Sequence, residues 1–284
     1  MDFYIVIPAH NEANFIAKTL SSLVAQTLQP KSVVVVNDNS TDATQTIVEQ
    51  FIQQHHWISL VNVKSSNKHL PGSKIINAFY KGFETLDNNY DVICKFDADL
   101  IFQENYLETL AVHFKSNKNI GMASGYCYVK KNNKWLREQV TGKDHIRGAL
   151  KAYTKDCFKD IGMLKKDMGW DTIDELLAKF NNWHILLDAN LKVKHLKPTG
   201  ANYNKQARLL QGEAMYKMRY GFILTFILGT YNGLKRSDFE TFKNFVSGYL
   251  KAKKSNVQPF ITKEEGVFVR KERWQGFIKR LRWK

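Results

Sequence analysis

Two acidic residues one position apart, Asp97 and Asp99, directly follow the short apolar run Val92 to Phe96. Carboxylate oxygens in this arrangement can bind a divalent cation, and Mg²⁺ in proteins usually takes one or two carboxylates together with waters and substrate phosphates. The same two residues could instead form a solvated acidic turn. Because ligand sites of parallel sheets lie beyond the strand ends, the sequence favours a site for a metal ion and a diphosphate.

Two other polar clusters follow apolar runs in the same way. The first is Pro8 to Glu12 (PAHNE), and the second contains Asp38 in the sequence VVVVNDNSTD. The Asp38 carboxylate could accept a hydrogen bond from a base N–H group or a ribose hydroxyl, or it could only stabilise a turn or a helix start. Lys74, near a predicted helix start, could contact a nucleobase or a phosphate, or it could be an ordinary surface lysine.

Three residues farther along the chain could complete such a site. Asp171 and Asp174 lie three apart at a predicted helix start, where acidic residues also interact favourably with the helix dipole. Either carboxylate could be a general base if it faces an acceptor hydroxyl. His195, at the end of a predicted strand, could be a third metal ligand or a structural histidine.

The elements that must position these residues alternate along the first half of the chain. Unbroken apolar runs predict four buried strands, at Phe3 to Pro8, Val33 to Val36, Leu60 to Val63 and Val92 to Phe96. The segments between them have the apolar period of helices. This alternation predicts an α/β fold with a mainly parallel sheet and helices on both faces, so the polar clusters should meet at one edge.

The lack of GxGxxG after the first strand, and of any GxxxxGK[ST], disfavours dinucleotide-dependent dehydrogenases and P-loop proteins.

The second half of the chain has weaker patterns. The predicted elements there are a strand at Met122 to Val129, a polar loop at Lys130 to Lys134, a helix around Ile173 to Phe180, and two short strands at Trp183 to Leu187 and Leu191 to His195. Beyond Pro198 the chain is predicted to be helical and basic. We therefore predict a domain of residues 1–200 and a C-terminal region of residues 201–284.

The composition is that of a globular protein. The chain has 284 residues, 44% hydrophobic and 24% charged, which excludes disordered and collagen-like classes. Three widely spaced cysteines without a CxxC pair predict free thiols in a reducing compartment. No apolar window reaches the roughly 18 residues of a membrane span, and the start does not resemble a signal peptide. We expect a cytoplasmic protein, with peripheral binding to the inner face of the cell membrane as a further option.

The net charge of +15 is concentrated at the C-terminal end, where residues 201–284 carry 18 Lys and Arg against 6 Asp and Glu. Within Arg270 to Lys284, one helical stripe is apolar: Trp274, Phe277, Ile278 and Leu281. Such a helix could lie on an anionic membrane surface, or its stripe could pack on the protein's own core. The apolar piece Gly221 to Tyr231 could likewise be an interfacial helix or a core helix.

Five stretches of the sequence together resemble family 2 glycosyltransferases, the inverting, nucleotide-sugar-dependent class with the GT-A fold. In chain order they are IVIPAHNEANFIAKTLSSLVAQ, VVVVNDNSTDAT, KFDAD, GWDTIDELLAKFNNWHI and KVKHLKP. The resemblance covers roughly residues 3–200. It implies a Rossmann-like GT-A domain that uses a divalent metal, Mg²⁺ or Mn²⁺, and a nucleotide-diphosphate sugar, with a UDP-sugar as the expected donor.

The resemblance also implies a role for each matched position. Nucleotide-sugar contacts are implied for Pro8, Ala9, Asn11, Glu12, Asp38 and Asp97; metal contacts for Asp97, Asp99 and His195; and the catalytic base for Asp171. Asn37 and Asn39 depart from the usual Asp and Gly beside Asp38, which leaves the base specificity open. Trp170 stands where many members have Glu, so Asp174 remains the alternate base. The absence of a QxxRW motif makes a processive polysaccharide synthase unexpected.

We therefore expect a glycosyltransferase of cell-envelope or surface glycan synthesis that acts on a glycan or lipid-linked acceptor. In the implied mechanism the metal stabilises the leaving nucleoside diphosphate, and a carboxylate deprotonates the acceptor in a single inverting displacement. The alternative is a non-catalytic relative that binds nucleotides or carbohydrates, which the intact Asp97 and Asp99 pair disfavours. A nucleic-acid-binding protein is disfavoured because the basic residues lie behind a nearly neutral body rather than along a groove.

Overall fold

The computed structural model describes residues 1–65, 72–138, 145–197, 205–236 and 238–282. Within these residues nine strands form one sheet: β1 (Phe3–Ala9), β2 (Ser32–Asp38), β3 (Ile58–Val63), β4 (Val92–Phe96), β5 (Leu100–Ile101), β6 (Ile120–Lys131), β7 (Lys134–Arg137), β8 (Leu150–Thr154) and β9 (His184–His195). The helices of the domain body are α1 (Ile16–Val24), α2 (Thr44–Gln54), α3 (Ser73–Phe83), α4 (Tyr106–Ser116), α5 (Lys155–Asp160) and α6 (Trp170–Phe180). The C-terminal helices are α7 (Lys205–Lys217), α8 (Phe222–Arg236), α9 (Phe239–Lys254) and α10 (Lys263–Arg282).

The sheet has the strand order β3-β2-β1-β4-β8-β6-β9-β5, and β7 pairs with β6 beside this path. The strands β1 to β4 pair in parallel, as their unbroken apolar runs predict. In contrast, β8 is antiparallel to both β4 and β6, while β9 is parallel to β6 and antiparallel to β5. The predicted α/β class with helices on both faces is confirmed, but the parallel pairing is limited to β1–β4 and the β6–β9 pair.

Both faces of the parallel half are buried. Phe3, Ile5 and Ile7 of β1 pack on one face with α1 and α4, whereas Tyr4 and Val6 pack on the other face with α3 and α6. Burial on both faces is the reason that these strands read as continuous apolar runs rather than as alternating patterns.

Two local predictions are corrected by the structure. The predicted loop at Lys130 to Lys134 is a hairpin, in which Asn132 and Asn133 join β6 to β7 with positive φ angles of 48° and 60°. Asparagine tolerates this left-handed conformation, so a two-residue turn forms. The two strands predicted between Trp183 and His195 are the single strand β9, whose pairing with β6 shifts in register next to Gly125.

The C-terminal helices share an apolar cluster with one face of the sheet. Ala207 and Ala214 of α7 and Val269 of α10 belong to the same buried cluster as Tyr4 and Val6 of β1. Among the described residues, none of these helices is long and apolar enough to cross a lipid bilayer.

The predicted helix in the basic tail is present as the end of α10. Its apolar stripe is divided: Trp274 packs against the buried cluster, while Ile278 is 45% exposed. The side chain of Leu281 lies outside the described residues. Packing on the protein's own core therefore accounts for part of the stripe.

Helices α7 and α9 cross at two glycines. A Cβ atom on Gly212 would lie 1.9 Å from the carbonyl oxygen of Phe245, and a Cβ atom on Gly248 would lie 2.0 Å from the carbonyl oxygen of Leu209. Both distances are far below van der Waals contact, so only glycine at each position lets the two backbones touch. The position of α9, and of α8 packed on it, depends on this crossing.

We expect Gly248→Ala to lower the free energy of unfolding by about 1–3 kcal/mol, the usual range for overpacking, because the new methyl group meets rigid backbone. Urea denaturation followed by far-UV circular dichroism measures the change. The control is Gly276→Ala in α10, where nothing lies within 4 Å of the added atom. This control should be neutral or stabilise by up to about 1 kcal/mol, because alanine is the better helix former. Equal effects at both positions would contradict the crossing.

Candidate functional site

The loops after β1 and β2 are held together by side chains. Asn11, which has a positive φ of 55°, donates its backbone N–H to Ser40 Oγ at 2.9 Å and accepts at Oδ1 from the backbone N–H of Thr41 at 2.8 Å. The backbone N–H of Glu12 donates to Thr44 Oγ1 at 2.7 Å. These bonds fix the polar clusters predicted at the two strand ends as one connected rim.

Asp38 lies at the end of β2, and only 8% of the residue is exposed. Its Oδ1 accepts a hydrogen bond from the backbone N–H of Ser65 at 3.0 Å, and its carbonyl oxygen lies 2.5 Å from His10 Nδ1. The neighbouring Asn37 donates its Nδ2 to Asn62 at 2.8 Å, while its Oδ1 is buried with no partner among the described residues. The rim therefore offers amide and carboxylate oxygens that could accept further hydrogen bonds.

Asp97 is paired with a lysine from inside the sheet. Lys95 of β4 is only 1% exposed, and its Nζ contacts Asp97 Oδ1 and donates to the carbonyl oxygen of Gly148 at 3.1 Å. Burial raises the pKa of Asp97, but the ammonium group of Lys95 lowers it by more, so the net pKa lies below the ordinary value. Asp97 therefore remains an ionised acceptor near neutral pH.

Asp99 faces His195 because β5 pairs with the end of β9. Leu100 lies opposite His195 in this antiparallel pair, which brings His195 Nε2 to 3.4 Å from Asp99 Oδ2. On the other side of the ring, His195 Nδ1 lies 3.4 Å from Glu138 Oε2. One potential ligand atom from each of Asp97, Asp99 and His195 lies within 4.8 Å of the others.

The proton on His195 depends on its two acidic neighbours. Burial lowers the pKa of His195, but the hydrogen bonds to Asp99 and Glu138 raise it to about 9. Glu138 is also paired with Arg147, whose Nε lies 3.3 Å from Glu138 Oε2. The imidazole is thus held between two carboxylates, with Nε2 toward the Asp99 side.

A fourth carboxylate closes the rim. Glu12 Oε1 contacts Lys197 Nζ, two residues beyond the end of β9. Burial raises the pKa of Glu12 above its ordinary value, and the charges of Asp99 and Asp97 add to this effect while Lys197 opposes it. The end of β9 thereby meets the loop that follows β1.

Asp171 lies on the other side of the 147–149 segment from Asp97. Its side chain is 34% exposed, and its Oδ2 lies 3.9 Å from His145 Nε2. A Cβ atom on Gly148 would lie 3.1 Å from Asp171 Oδ2, and the carbonyl oxygen of the same Gly148 accepts from Lys95. The segment that contains Gly148 therefore connects the two acidic residues: its carbonyl group binds the lysine that pairs with Asp97, and its Cα atom packs closely against the side chain of Asp171.

Asp174 is buried beneath this site. Its Oδ2 lies 2.9 Å from Lys151 Nζ and accepts from the hydroxyl of Tyr153 at 2.5 Å. Lys151 Nζ also reaches Glu175 Oε1 at 3.0 Å and donates to the carbonyl oxygen of Asp171 at 2.7 Å. Burial raises the pKa of Asp174 to about 6 although Lys151 opposes this, while Lys151 and His145 outweigh burial and hold the pKa of Glu175 at about 2.

The structure brings most of the predicted residues to one edge and leaves two away from it. Asp174 is buried in the protein, almost one helical turn beyond the partly exposed Asp171 in α6. Lys74 is half-buried in the first turn of α3, beside Gly72, whose added Cβ would lie 2.8 Å from the carbonyl oxygen of Asp167. Lys74 therefore lies near the segment that leads into α6, and no contact among the described residues joins it to Asp38 or Asp97.

The sequence patterns did not reveal the residues that balance the charge of the site. These are Lys95, Glu138, Arg147 and Lys197, together with Lys151 beneath it. Two of these residues are lysines within buried strands. Lys95 interrupts the apolar run VICKF, and Lys151 lies in a strand where every residue but the last is buried. A lysine within a buried strand requires an acidic partner.

Comparisons with known proteins agree with this geometry. The family model described as Glycosyl transferase family 2 matches residues 4–169. The probable glycosyltransferase YdaM of Bacillus subtilis is 38% identical over 39% of this chain and 24% of its own length. The poly-beta-1,6-N-acetyl-D-glucosamine synthase of Staphylococcus epidermidis is 22% identical over 57% of this chain and 42% of its own. The chain thus spans less than half the length of these relatives.

Solved structures show the same fold at low sequence identity. Residues 1–349 of S. aureus TarS, in complex with UDP-GlcNAc, superpose with a TM-score of 0.55 at 19% identity, covering 76% of this chain and 67% of that one. The mannosyltransferase PcManGT from Pyrobaculum calidifontis, in complex with GDP-Man and Mn²⁺, gives a TM-score of 0.53 at 16% identity, covering 75% and 61%. The expected GT-A fold is thereby confirmed.

We expect Lys151→Met to lower the free energy of unfolding by about 3–5 kcal/mol, because it leaves the buried carboxylate of Asp174 without a cation and removes one of the two basic partners of Glu175. Urea denaturation measures the change. Adding Asp174→Asn to this variant should recover part of the loss, since one buried charge is then removed. Lys159→Met on the exposed side of α5 is the control and should stay within about 0.5 kcal/mol of wild type. A Lys151→Met protein as stable as the control would show that the cluster is not a stabilising ion pair.

Proposed function

Because the chain belongs to glycosyl transferase family 2, we propose that it transfers a sugar from a nucleoside-diphosphate sugar to an acceptor hydroxyl with inversion at the anomeric carbon. The observation that carries this proposal is the cluster of Asp97, Asp99 and His195 within 4.8 Å, with the partly exposed carboxylate of Asp171 next to Gly148. Such an arrangement supplies a charge-stabilising side and a proton-accepting side, which a single displacement requires.

The donor set fits a divalent metal ion. Two carboxylates and one imidazole are ligands that Mn²⁺ accepts, and Mg²⁺ takes the carboxylates with added waters. We propose that Asp97, Asp99 and His195 hold the ion, and Glu138 fixes the ring through Nδ1 as second carboxylates commonly do for ligating histidines. When bound, the metal would stabilise negative charge on the departing diphosphate.

The rim formed by the loops after β1 and β2 would hold the nucleoside. Pro8, Ala9, Asn11 and Glu12 contribute one side of this rim and Asp38 the other. Asp38 is already oriented by the backbone of Ser65, so its second oxygen can accept from a base N–H or a ribose hydroxyl.

We propose a UDP-sugar as the donor, since TarS was solved with UDP-GlcNAc. A phosphate or base contact by Lys74 stays a prediction.

Asp171 is the better candidate for the base. Its side chain is 34% exposed, whereas the carboxylate of Asp174 is buried and bonded to Lys151 and Tyr153. An acceptor hydroxyl cannot reach Asp174 without breaking that bond. We propose that Asp171 accepts the acceptor's proton while the hydroxyl attacks the anomeric carbon opposite the leaving group. Lys151 holds the Asp171 carbonyl and thereby orients the first turn of α6.

The acceptor is proposed from chemistry and from the relatives together. The poly-beta-1,6-N-acetyl-D-glucosamine synthase among them supports a role in cell-envelope or surface glycan synthesis, with a glycan or a lipid-linked acceptor. Peripheral contact with the inner face of the membrane through Arg270–Lys284 is part of this proposal. Because Trp274 is packed against the core, that contact would use the basic side chains more than the apolar stripe.

A panel of nucleotide sugars, with a mixture of glycan and lipid-linked acceptors and Mn²⁺ or Mg²⁺, tests the proposed activity. One donor should release its nucleoside diphosphate, and EDTA should stop the release. Asp171→Asn should lower kcat by about 10²–10⁴-fold, the usual contribution of a general base, with donor binding unchanged. Asp156→Asn on the exposed side of α5 is the matched control and should retain full turnover. Full turnover of Asp171→Asn would refute the assigned base.

Metal binding should release a proton from His195. Because the pKa of His195 is raised to about 9, the metal-free imidazole is protonated at neutral pH and must lose this proton to become a ligand. The apparent affinity for Mn²⁺ should therefore increase as the pH is raised toward about 9, the pKa of His195, and it should decrease as the pH is lowered.

Calorimetric titration of Mn²⁺ at neutral pH, in two buffers of different ionisation enthalpy, counts the protons released. We expect about one proton per ion for wild type and none for His195→Gln. Glu138→Gln should weaken Mn²⁺ binding by about 10–100-fold. Tight binding without proton release in the wild type would exclude His195 as a ligand.

A further inference from the structure

An exposed apolar surface lies on α8 and α9. Half of the large hydrophobic side chains that are exposed among the described residues fall between positions 222 and 239: Phe222, Ile223, Phe226, Tyr231, Leu234 and Phe239. Isolated exposed apolar residues are normal on a protein surface, but a contiguous group of this kind marks an interaction site.

Ring contacts join three of these six side chains through the partly buried Phe242. The ring of Phe222 lies 6.1 Å from that of Phe226, which lies 5.2 Å from Phe242, which in turn lies 5.6 Å from Phe239. We call this row of four rings the aromatic strip. It runs across the two helices, so it belongs to neither helix alone.

Helix α8 has a second apolar side that accounts for its internal packing. Leu224 is 4% exposed, and Gly229 and Gly233 face Phe242 of α9 closely enough that an added Cβ would lie 3.5 Å and 3.2 Å from its side chain. The outward positions Ile223 and Leu234 are instead 66% and 76% exposed. The side chains of Ile223 and Leu234 are therefore not needed to hold α8 in place, whereas the rings of Phe222 and Phe226 also contact α9.

Lysines border the aromatic strip. The exposed Lys243 holds its Nζ 5.1 Å from the centre of the Phe239 ring, and Lys251, Lys253 and Lys254 are exposed in the last turn of α9. The C-terminal region as a whole carries 18 basic against 6 acidic residues. A surface that combines apolar rings with a basic border complements the acyl boundary and anionic headgroups of a bilayer.

We propose that the aromatic strip, with Ile223, Leu234 and the lysines of α9, docks this protein on an anionic lipid bilayer. A second copy of the chain is the less suitable occupant, because joining two such surfaces would bring like charges together. The inference rests on the proposed function only for its purpose, which is to bring the site to a lipid-linked acceptor. Docking itself needs no turnover.

Co-sedimentation with vesicles tests the docking surface. Wild type should sediment with vesicles of phosphatidylglycerol and phosphatidylcholine in equal amounts, and much less with phosphatidylcholine alone. Ile223→Ser with Leu234→Ser should lose at least about tenfold in affinity, because buried apolar area supplies part of the binding. Lys251→Gln with Lys253→Gln and Lys254→Gln should lose a similar factor, since each lysine near the surface contributes to binding.

Val112→Ser is the matched control, because Val112 is 58% exposed on α4 and lies outside this surface. It should bind vesicles as wild type does. Circular dichroism confirms that each variant is folded. Equal binding to neutral and anionic vesicles, no binding by wild type, or a dimer in solution that Ile223→Ser with Leu234→Ser dissociates would each overturn the proposal.

Release of nucleoside diphosphate, measured without vesicles, separates this proposal from the proposed function. Folded Ile223→Ser with Leu234→Ser protein should keep the wild-type rate with a soluble acceptor, because both side chains are exposed and no contact in the described part of the chain joins them to the carboxylate rim. Vesicle binding in a protein that releases no nucleoside diphosphate from any donor would support docking and count against the glycosyltransferase assignment.

Discussion

Mutual repulsion among four carboxylates at one edge of the sheet is the constraint on which the site depends. Each carboxylate is compensated by its own cation: Asp97 by Lys95, Asp99 by His195, Glu138 by Arg147, and Glu12 by Lys197. Acidic groups gathered without such partners would take up protons rather than remain charged. With the partners present, three of the cations are permanent, and the fourth is an imidazole whose proton a metal ion can replace. These eight groups are therefore balanced in charge without a metal, and a divalent ion in place of that proton would leave one positive charge for the diphosphate of a donor.

The need to compensate these carboxylates also explains why the sheet combines parallel and antiparallel pairs. A parallel sheet alone would gather Glu12, Asp38 and Asp97 at one edge, since these residues follow β1, β2 and β4. It would not return a late strand to the same edge. The antiparallel strand β8 places Lys151 and Gly148 next to β4, and the β5–β9 pair places His195 opposite Leu100. The end of β9 thus supplies the counter-charges of Asp99 and Glu12, whereas Asp97 is paired with Lys95 of β4 itself.

The parallel half could be predicted from the sequence because its strands are buried on both faces. The apolar runs ending at Pro8, Val36, Val63 and Phe96 correspond to β1–β4 within two residues at each end, and the polar clusters after them lie on one rim. Strand β8 could not be found in this way, because a run containing Lys151 reads as polar until its buried partners Asp174 and Glu175 are known. The pairing of β9 could not be predicted either, since it depends on contacts with strands far away in the sequence.

Glu12 and Lys197 are 185 residues apart in the chain. Their contact determines when the site can be completed during synthesis of the protein. Domains form from their N-terminal part onward as the polypeptide leaves the ribosome. Strands β1 to β4 can associate early, while Asp99 and Glu12 still have no counter-charges. His195 and Lys197 arrive only with the end of β9. A nascent chain stopped before that point has all the acidic residues of the site but lacks two of their counter-charges, so competence for the proposed reaction comes late in synthesis.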